Sequence, residues 1–293
     1  MTPVSKGTGV SKSEPDENPL IPNQKLRRIY TAMLEARQLD GHIAKLQRKL
    51  KPSQRFDSTF GQEACRVSTG LELRASDLIS EAKPGPVTDL ILGAKVSSLL
   101  KTFARKRTGA RRSTSSTTQP EDRAQQLPAI EDPEERLRVV IGAALVLKTH
   151  KRGSVVLAYV RRRELGSSTW KKILTLAAKL ELPMIFVVLP GSLDKKSSAQ
   201  MLLSAKASAC GVPGIPVDST DAVALYRVAQ EALGRTRGGD GPVLIECLPY
   251  RLHGQTTAHH DPLIQISKYL LDRRVCDQAW LDKVGKALQK QLK

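Results

Sequence analysis

Apolar and polar residues alternate along this chain with two periods, and the period changes about half-way. From Lys25 to Leu50 the apolar positions Leu26, Ile29, Met33, Ala36, Leu39, Ile43, Leu46 and Leu50 recur at three- and four-residue steps, which predicts one long amphipathic helix. A second helix is expected after Gly61, and a third over residues 87–104. In the second half, short apolar runs alternate with helical patterns. The runs are Ser154–Val160, Pro183–Leu189, Ile215–Val217 and Pro242–Leu248. The helical patterns cover 134–149, 168–181, 197–209, 221–235 and 277–291. Fully apolar strands separated by amphipathic helices predict an α/β fold, a doubly wound parallel sheet covered on both faces.

The remaining segments are polar. Residues 1–22 are rich in Pro, Ser and Lys and are expected to form a disordered tail before a folded unit over 23–293. Residues 105–130 begin with Arg105, Lys106, Arg107, Arg111 and Arg112 and continue into a Ser/Thr run, which predicts a mobile basic loop. The net charge of +18 favours anionic partners, so nucleic acid enters through the 101–112 run. Aromatics make up only 4% of the chain and none interleaves the basic runs, which removes a base-stacking platform. No apolar stretch is long enough for a membrane span or a signal peptide. Cys65, Cys210, Cys247 and Cys276 are scattered without a CxxC pair, as in a cytoplasmic protein with reduced thiols.

In a parallel sheet, ligands sit at the carboxyl ends of the strands. After Val160 comes Arg161-Arg162-Arg163-Glu164, and after Leu189 comes Pro190-Gly191-Ser192. The first is a cationic pocket mouth ahead of a helix that starts near Ser168, an arrangement suited to an anion. His253, His259, His260 and Asp261 cluster in sequence, but their spacing matches no common metal motif.

Several phrases, in order, resemble the alpha subunit of the thiamine-diphosphate-dependent decarboxylating component of 2-oxo acid dehydrogenases, of pyruvate or branched-chain type. They are Arg27-Arg28-Ile29-Tyr30, Met33-Leu34-Glu35-Ala36-Arg37, Gly61-Gln62-Glu63-Ala64, Asp77, Gly93 and Ile141-Gly142-Ala143-Ala144-Leu145. Further on come Leu176-Ala177-Ala178, Leu182-Pro183, Phe186-Val187, Val217-Asp218, Asp221, Gly241-Pro242, Leu244-Ile245-Glu246 and Tyr250-Arg251. The resemblance covers about residues 25–290 and implies the thiamine-diphosphate-binding fold, a magnesium ion, and pairing with a beta subunit or self-association.

The departures carry as much information as the matches. The family holds magnesium with a GDG phrase after one strand and an Asn after the next. Here those positions carry Arg161-Arg162-Arg163 and Gly191, so Arg162 and Gly191 stand where the two ligands would be. The Tyr-Arg pair and His that face the diphosphate fall near Lys83-Pro84 and Pro86, and Pro133-Glu134-Glu135-Arg136 replaces a glycine-rich stretch. The catalytic-loop histidine falls on Gln255, which is no proton shuttle at neutral pH, with His253 two residues away. Glu63 reads equally as an active-site acid and as a helix N-terminal acid. The expectation is a degenerate member, a pseudoenzyme without thiamine diphosphate, metal or catalytic residues, acting as a scaffold or regulatory partner. The alternatives are an active subunit with atypical cofactor contacts, and an anion- or nucleic-acid-binding protein using Arg161, Arg162 and Arg163. Arg162 itself either meets an anion or turns into solvent.

Overall fold

The computed structural model describes residues 20–51, 55–105, 124–150, 153–165, 168–190, 202–249 and 261–292. Six parallel strands form one sheet: β1 (Leu78–Ser80), β2 (Gln125–Gln126), β3 (Val156–Arg161), β4 (Met184–Leu189), β5 (Gly214–Asp218) and β6 (Val243–Leu248). Their order is β2-β1-β3-β4-β6-β5, and every pairing is parallel. The doubly wound α/β class expected from the alternating runs is therefore the fold observed.

Side chains of successive strand residues point to opposite faces, so the sheet has two cores. Leu157, Tyr159, Ile185, Val187, Val243, Ile245 and Cys247 face one layer, which contains α1 (Asn23–Leu46), α2 (Glu63–Gly70), α8 (Ala222–Gly238) and α9 (Pro262–Asp272). Val156, Ala158, Val160, Met184, Phe186, Val188 and Leu244 face the other, which contains α5 (Pro133–Thr149), α6 (Ser168–Lys179) and α7 (Leu203–Ser208). The remaining helices are α3 (Pro86–Ile91), α4 (Val96–Arg105) and α10 (Gln278–Gln291).

Four helices begin the same way. Asp132, Asp221, Asp261 and Asp277 each accept hydrogen bonds from backbone N–H groups of the following turn, which are otherwise unpaired. Burial follows the predicted stripe of the first helix at Leu26, Ile29, Met33, Ala36, Leu39 and Ile43, but Leu46 is exposed and Leu50 lies past a 3-10 turn at Gln47–Lys49.

Several expectations are corrected. The single helix over 87–104 is two helices, α3 and α4, separated at Gly93, whose φ of 86° lies in the left-handed region. Arg105, the first residue of the expected loop 105–130, ends α4, and Gln125–Gln126 pair with β1 as an edge strand although they fall inside that loop. Its residues 106–123, like the tail 1–19, lie outside the described residues. Strands β1 and β2 and helix α9 had no counterpart in the periodicity reading. Three- and two-residue strands are too short to show a period, and α9 follows directly on the histidine-rich stretch. Among the described residues, no helix is long and apolar enough to cross a membrane.

Candidate functional site

The carboxyl ends of β1, β3, β4 and β6 converge on a group of arginines and carboxylates. In register, Val160 of β3 pairs with Val188 of β4, and Val188 pairs with Glu246 of β6. Val160 and Val188 share the α5–α6–α7 face. Arg162 lies two residues beyond Val160, at the start of a 3-10 turn (Arg162–Leu165), and it crosses β4 to Glu246. Two interstrand steps are about 10 Å, within the reach of an extended arginine. Arg162 Nη1 sits 2.9 Å from Glu246 Oε1. The other carboxylate oxygen of Glu246 accepts the Ser204 backbone N–H at 2.8 Å, so this fully buried acid is satisfied on both sides. Arg162 thus turns over the sheet toward Glu246 while staying partly exposed.

The neighbouring arginines are also committed to acids. Arg161 Nη2 lies 2.7 Å from Asp57 Oδ2, and this hydrogen bond holds the Asp57 carboxyl below the usual carboxylate range. Arg136 is 1% exposed. Its guanidinium donates to the Tyr159 carbonyl at 2.9 Å and to Glu164 at 2.5 Å, which places a large cation directly beside β3. Burial pulls the Arg136 guanidinium below its ordinary value, with Glu164 opposing. Glu164 also accepts the Arg161 backbone N–H at 3.1 Å. Arg163 is exposed.

A second buried network stands at the end of β1. Arg66 donates to Glu81 at 2.6 Å, to Thr88 at 3.3 Å and to Gln62 at 3.1 Å, and Thr88 donates to Glu81 at 2.5 Å. Burial alone would lower Arg66, but the Glu81 charge overrides it and holds the guanidinium above its ordinary value. Tyr159 closes the network from β3: its ring faces Arg66 and its hydroxyl meets Thr69 at 3.0 Å. The periodicity reading missed this pair. Arg66 and Glu81 are 15 residues apart in sequence, and only a charge at a helical core position hinted at it.

Residues 30–291 match the model of the dehydrogenase E1 component family. The chain belongs to this family. Similar proteins include the pyruvate dehydrogenase E1 component subunit alpha of Mycoplasma genitalium, 24% identical over 95% of this chain and 81% of that protein. The 3-methyl-2-oxobutanoate dehydrogenase subunit alpha of Mycobacterium tuberculosis is 29% identical over 86% of this chain and 68% of its own length. The pyruvate dehydrogenase E1 component subunit alpha of Staphylococcus aureus is 34% identical over 126 residues, which is 41% of this chain and 34% of that protein.

Within this E1 alpha fold the sequence-predicted positions fall as follows. Arg161, Arg162 and Arg163 are together at the end of β3. Gly191, Gln255, His253, His259 and His260 lie outside the described residues. Asp261 caps α9 through Leu263 N at 2.8 Å and accepts Arg37 at 2.8 and 3.2 Å. Arg37 also pairs with Glu63, so Glu63 belongs to an ion triad that ties α1, α2 and α9 together. Lys83 forms an exposed pair with Glu131 at 3.3 Å, and Pro86 opens α3. All four cysteines are free thiols.

Proposed function

We propose that this E1 alpha-family chain is a non-catalytic member that serves as a scaffold or regulatory partner and does not use thiamine diphosphate with magnesium. One observation carries the reading: the guanidinium of Arg162, at the position aligned with a magnesium ligand, is held over the sheet by the buried carboxylate of Glu246. Magnesium needs oxygen ligands in octahedral geometry and bridges to diphosphate oxygens. A guanidinium about 4 Å from a divalent cation costs roughly 8 kcal/mol at an effective dielectric near 20. The two oxygens of Glu246 already accept Arg162 and the Ser204 backbone N–H. Arg136 adds a buried cation on the same flank, where the glycines of the family phrase would admit phosphates. This donor set does not fit a magnesium diphosphate.

The partner half of the proposal draws on an apolar surface. Leu145 and Val146 of α5 are 43% and 53% exposed, and Leu176 of the neighbouring α6 and Leu180 just past its end are 44% and 38% exposed. Lys148 ties the two helix ends together by donating to the Leu180 carbonyl at 2.7 Å. A helix apolar on both sides is suited to burial against a second chain. A beta subunit or a second copy of this chain is the partner we assign to that face.

A second reading, an active subunit with atypical cofactor contacts, takes its support from the names of the relatives, which are those of 2-oxo acid dehydrogenase subunits. Titration calorimetry of the full chain with thiamine diphosphate, with and without magnesium, separates the two. No magnesium-dependent heat is expected, nor any 2-oxo acid decarboxylation when a beta subunit is added. Tight magnesium-dependent binding overturns the proposal in favour of the active subunit.

A further inference from the structure

A concavity lies beside α1, and neither Arg161, Arg162 nor Arg136 lines it. Its volume is about 520 Å³, and it is walled by α1, the ends of α2 and α3, and Ala124. Gln62, at the start of α2, contacts Pro190 just past β4, and Thr88, in the first turn of α3, contacts Glu81 just past β1. The cavity instead takes Val67 to Leu73 and Leu90 to Gly93, the opposite ends of the same helices. It therefore sits on the other side of the helix layer from the strand carboxyl ends.

Ala32, Val67, Leu71, Leu90 and Leu92 supply apolar side chains to its wall, although Arg28, Thr31 and Glu35 also line it and its surface is more polar than apolar, and its size is that of a small-molecule site. Two charged residues reach it from α1, Arg28 and Glu35, two helical turns apart on one face. They differ in what they already touch. Arg28 is 58% exposed and faces Glu72 at 3.9 Å, where Lys25 also pairs. Glu35 is half-buried and makes no hydrogen bond or ion pair with any described residue. Burial raises its carboxyl above the ordinary value, with no cation opposing the rise. A half-buried carboxylate with no protein donor favours a cation placed beside it. The group that completes it is a cation with a hydrocarbon body.

We propose that this cavity binds a small primary ammonium compound carrying an aromatic or branched hydrocarbon group, with the ammonium seated on Glu35 and the hydrocarbon against Ala32, Leu71 and Leu92. The three N–H donors of an ammonium satisfy the carboxylate, and the apolar walls remove the hydrocarbon from water. The site is independent of the thiamine-diphosphate question, since it shares no residue with the strand carboxyl ends.

Calorimetry of the full chain with phenethylamine hydrochloride tests this, at matched ionic strength against 2-phenylethanol and phenylacetate. Saturable one-to-one binding is expected for the amine, at least about tenfold tighter than for the alcohol, with none for the acid. Glu35→Gln, with an unchanged thermal midpoint or a higher one, is expected to lose that preference. Ala32→Phe, which fills the cavity without touching the charge, is expected to abolish binding while leaving the fold intact by circular dichroism. The proposal is overturned by an absence of saturable amine binding, by alcohol binding equal to amine binding, or by a folded Glu35→Gln chain that keeps the preference.

Discussion

Arg162, in the turn just past β3, and Glu246, on β6, are 84 residues apart, and β3 and β6 do not pair with each other, yet the two side chains meet at 2.9 Å across β4. Glu246 is buried in the middle of the sheet, and Arg162 is its only charged partner among the described contacts, with the Ser204 backbone N–H on its other oxygen. Arg162 stands at the position that the sequence resemblance aligns with a metal ligand of the family. The fold therefore neutralises this end of the sheet with its own side chains.

Arg162→Ala is expected to destabilise the chain by about 2–3 kcal/mol, because it leaves Glu246 ionised and buried without its counter-charge. Glu246→Ala strips the acceptor from both Arg162 and Ser204 and should cost at least as much. Replacing both residues with methionine should cost less than either single change, since no unpaired charge remains. Urea unfolding of the three variants checks the order, and an additive double mutant refutes the coupling.

Gly214 is expected to tolerate no side chain. A Cβ there would come within 2.1 Å of the Ser204 carbonyl oxygen and 2.5 Å of its Cα. Backbone atoms cannot yield as a flexible side chain does, so Gly214→Ala should push α7 off β5 and draw the Ser204 N–H away from Glu246. The expected loss is about 2–3 kcal/mol, read as a lower urea midpoint. An unchanged midpoint contradicts the close packing.

Acid should weaken the contact between α1 and α9. Burial alone would raise Asp261, but Arg37 and two backbone N–H groups of α9 hold it below its ordinary 3.8. A carboxyl depressed in the folded state stabilises the fold above its unfolded pKa and loses that contribution as pH falls through the folded value. Asp57, held down by Arg161, acts in the same direction. Stability should therefore fall as pH drops below about 4, and Arg37→Met should shrink the part of the loss due to Asp261. Thermal midpoints between pH 3 and 7 measure it. Equal pH slopes in the two chains rule out the Arg37 contribution.

The apolar face of α5 and α6 predicts association. Leu145→Glu combined with Leu176→Glu places two charges on that face and should shift the chain toward the single-chain species in sedimentation velocity, with little change in melting temperature. If the unaltered chain already sediments as a single chain and retains no beta subunit, the assignment of that face fails.

The carrying elements of the fold were legible because they depend on local pattern. Apolar runs at 154–160, 183–189 and 242–248 are strands buried on both faces, and the amphipathic stretches between them are the crossovers of a parallel sheet. The phrases around Gly61-Gln62-Glu63-Ala64 and Leu244-Ile245-Glu246 pointed to the family that the chain belongs to. The arginine run at the end of β3 was visible, and so was its position at a strand carboxyl end. What Arg161, Arg162 and Arg136 touch was not visible, because a charge shows no period and its partner is chosen by sheet order. Glu246 matched a family phrase, but it becomes the counter-ion of Arg162 only because β6 lies next to β4 and β4 next to β3. In the same way the partner of Glu63 was not visible, because Arg37 reaches it from α1 and is shared with Asp261 at the start of α9. The sequence by itself determined the layers and the parallel sheet, since each is written in local pattern, and it placed the arginine run at a strand carboxyl end. Only the tertiary structure decided how the cations are neutralised, because that depends on side chains tens of residues apart meeting at one end of the sheet.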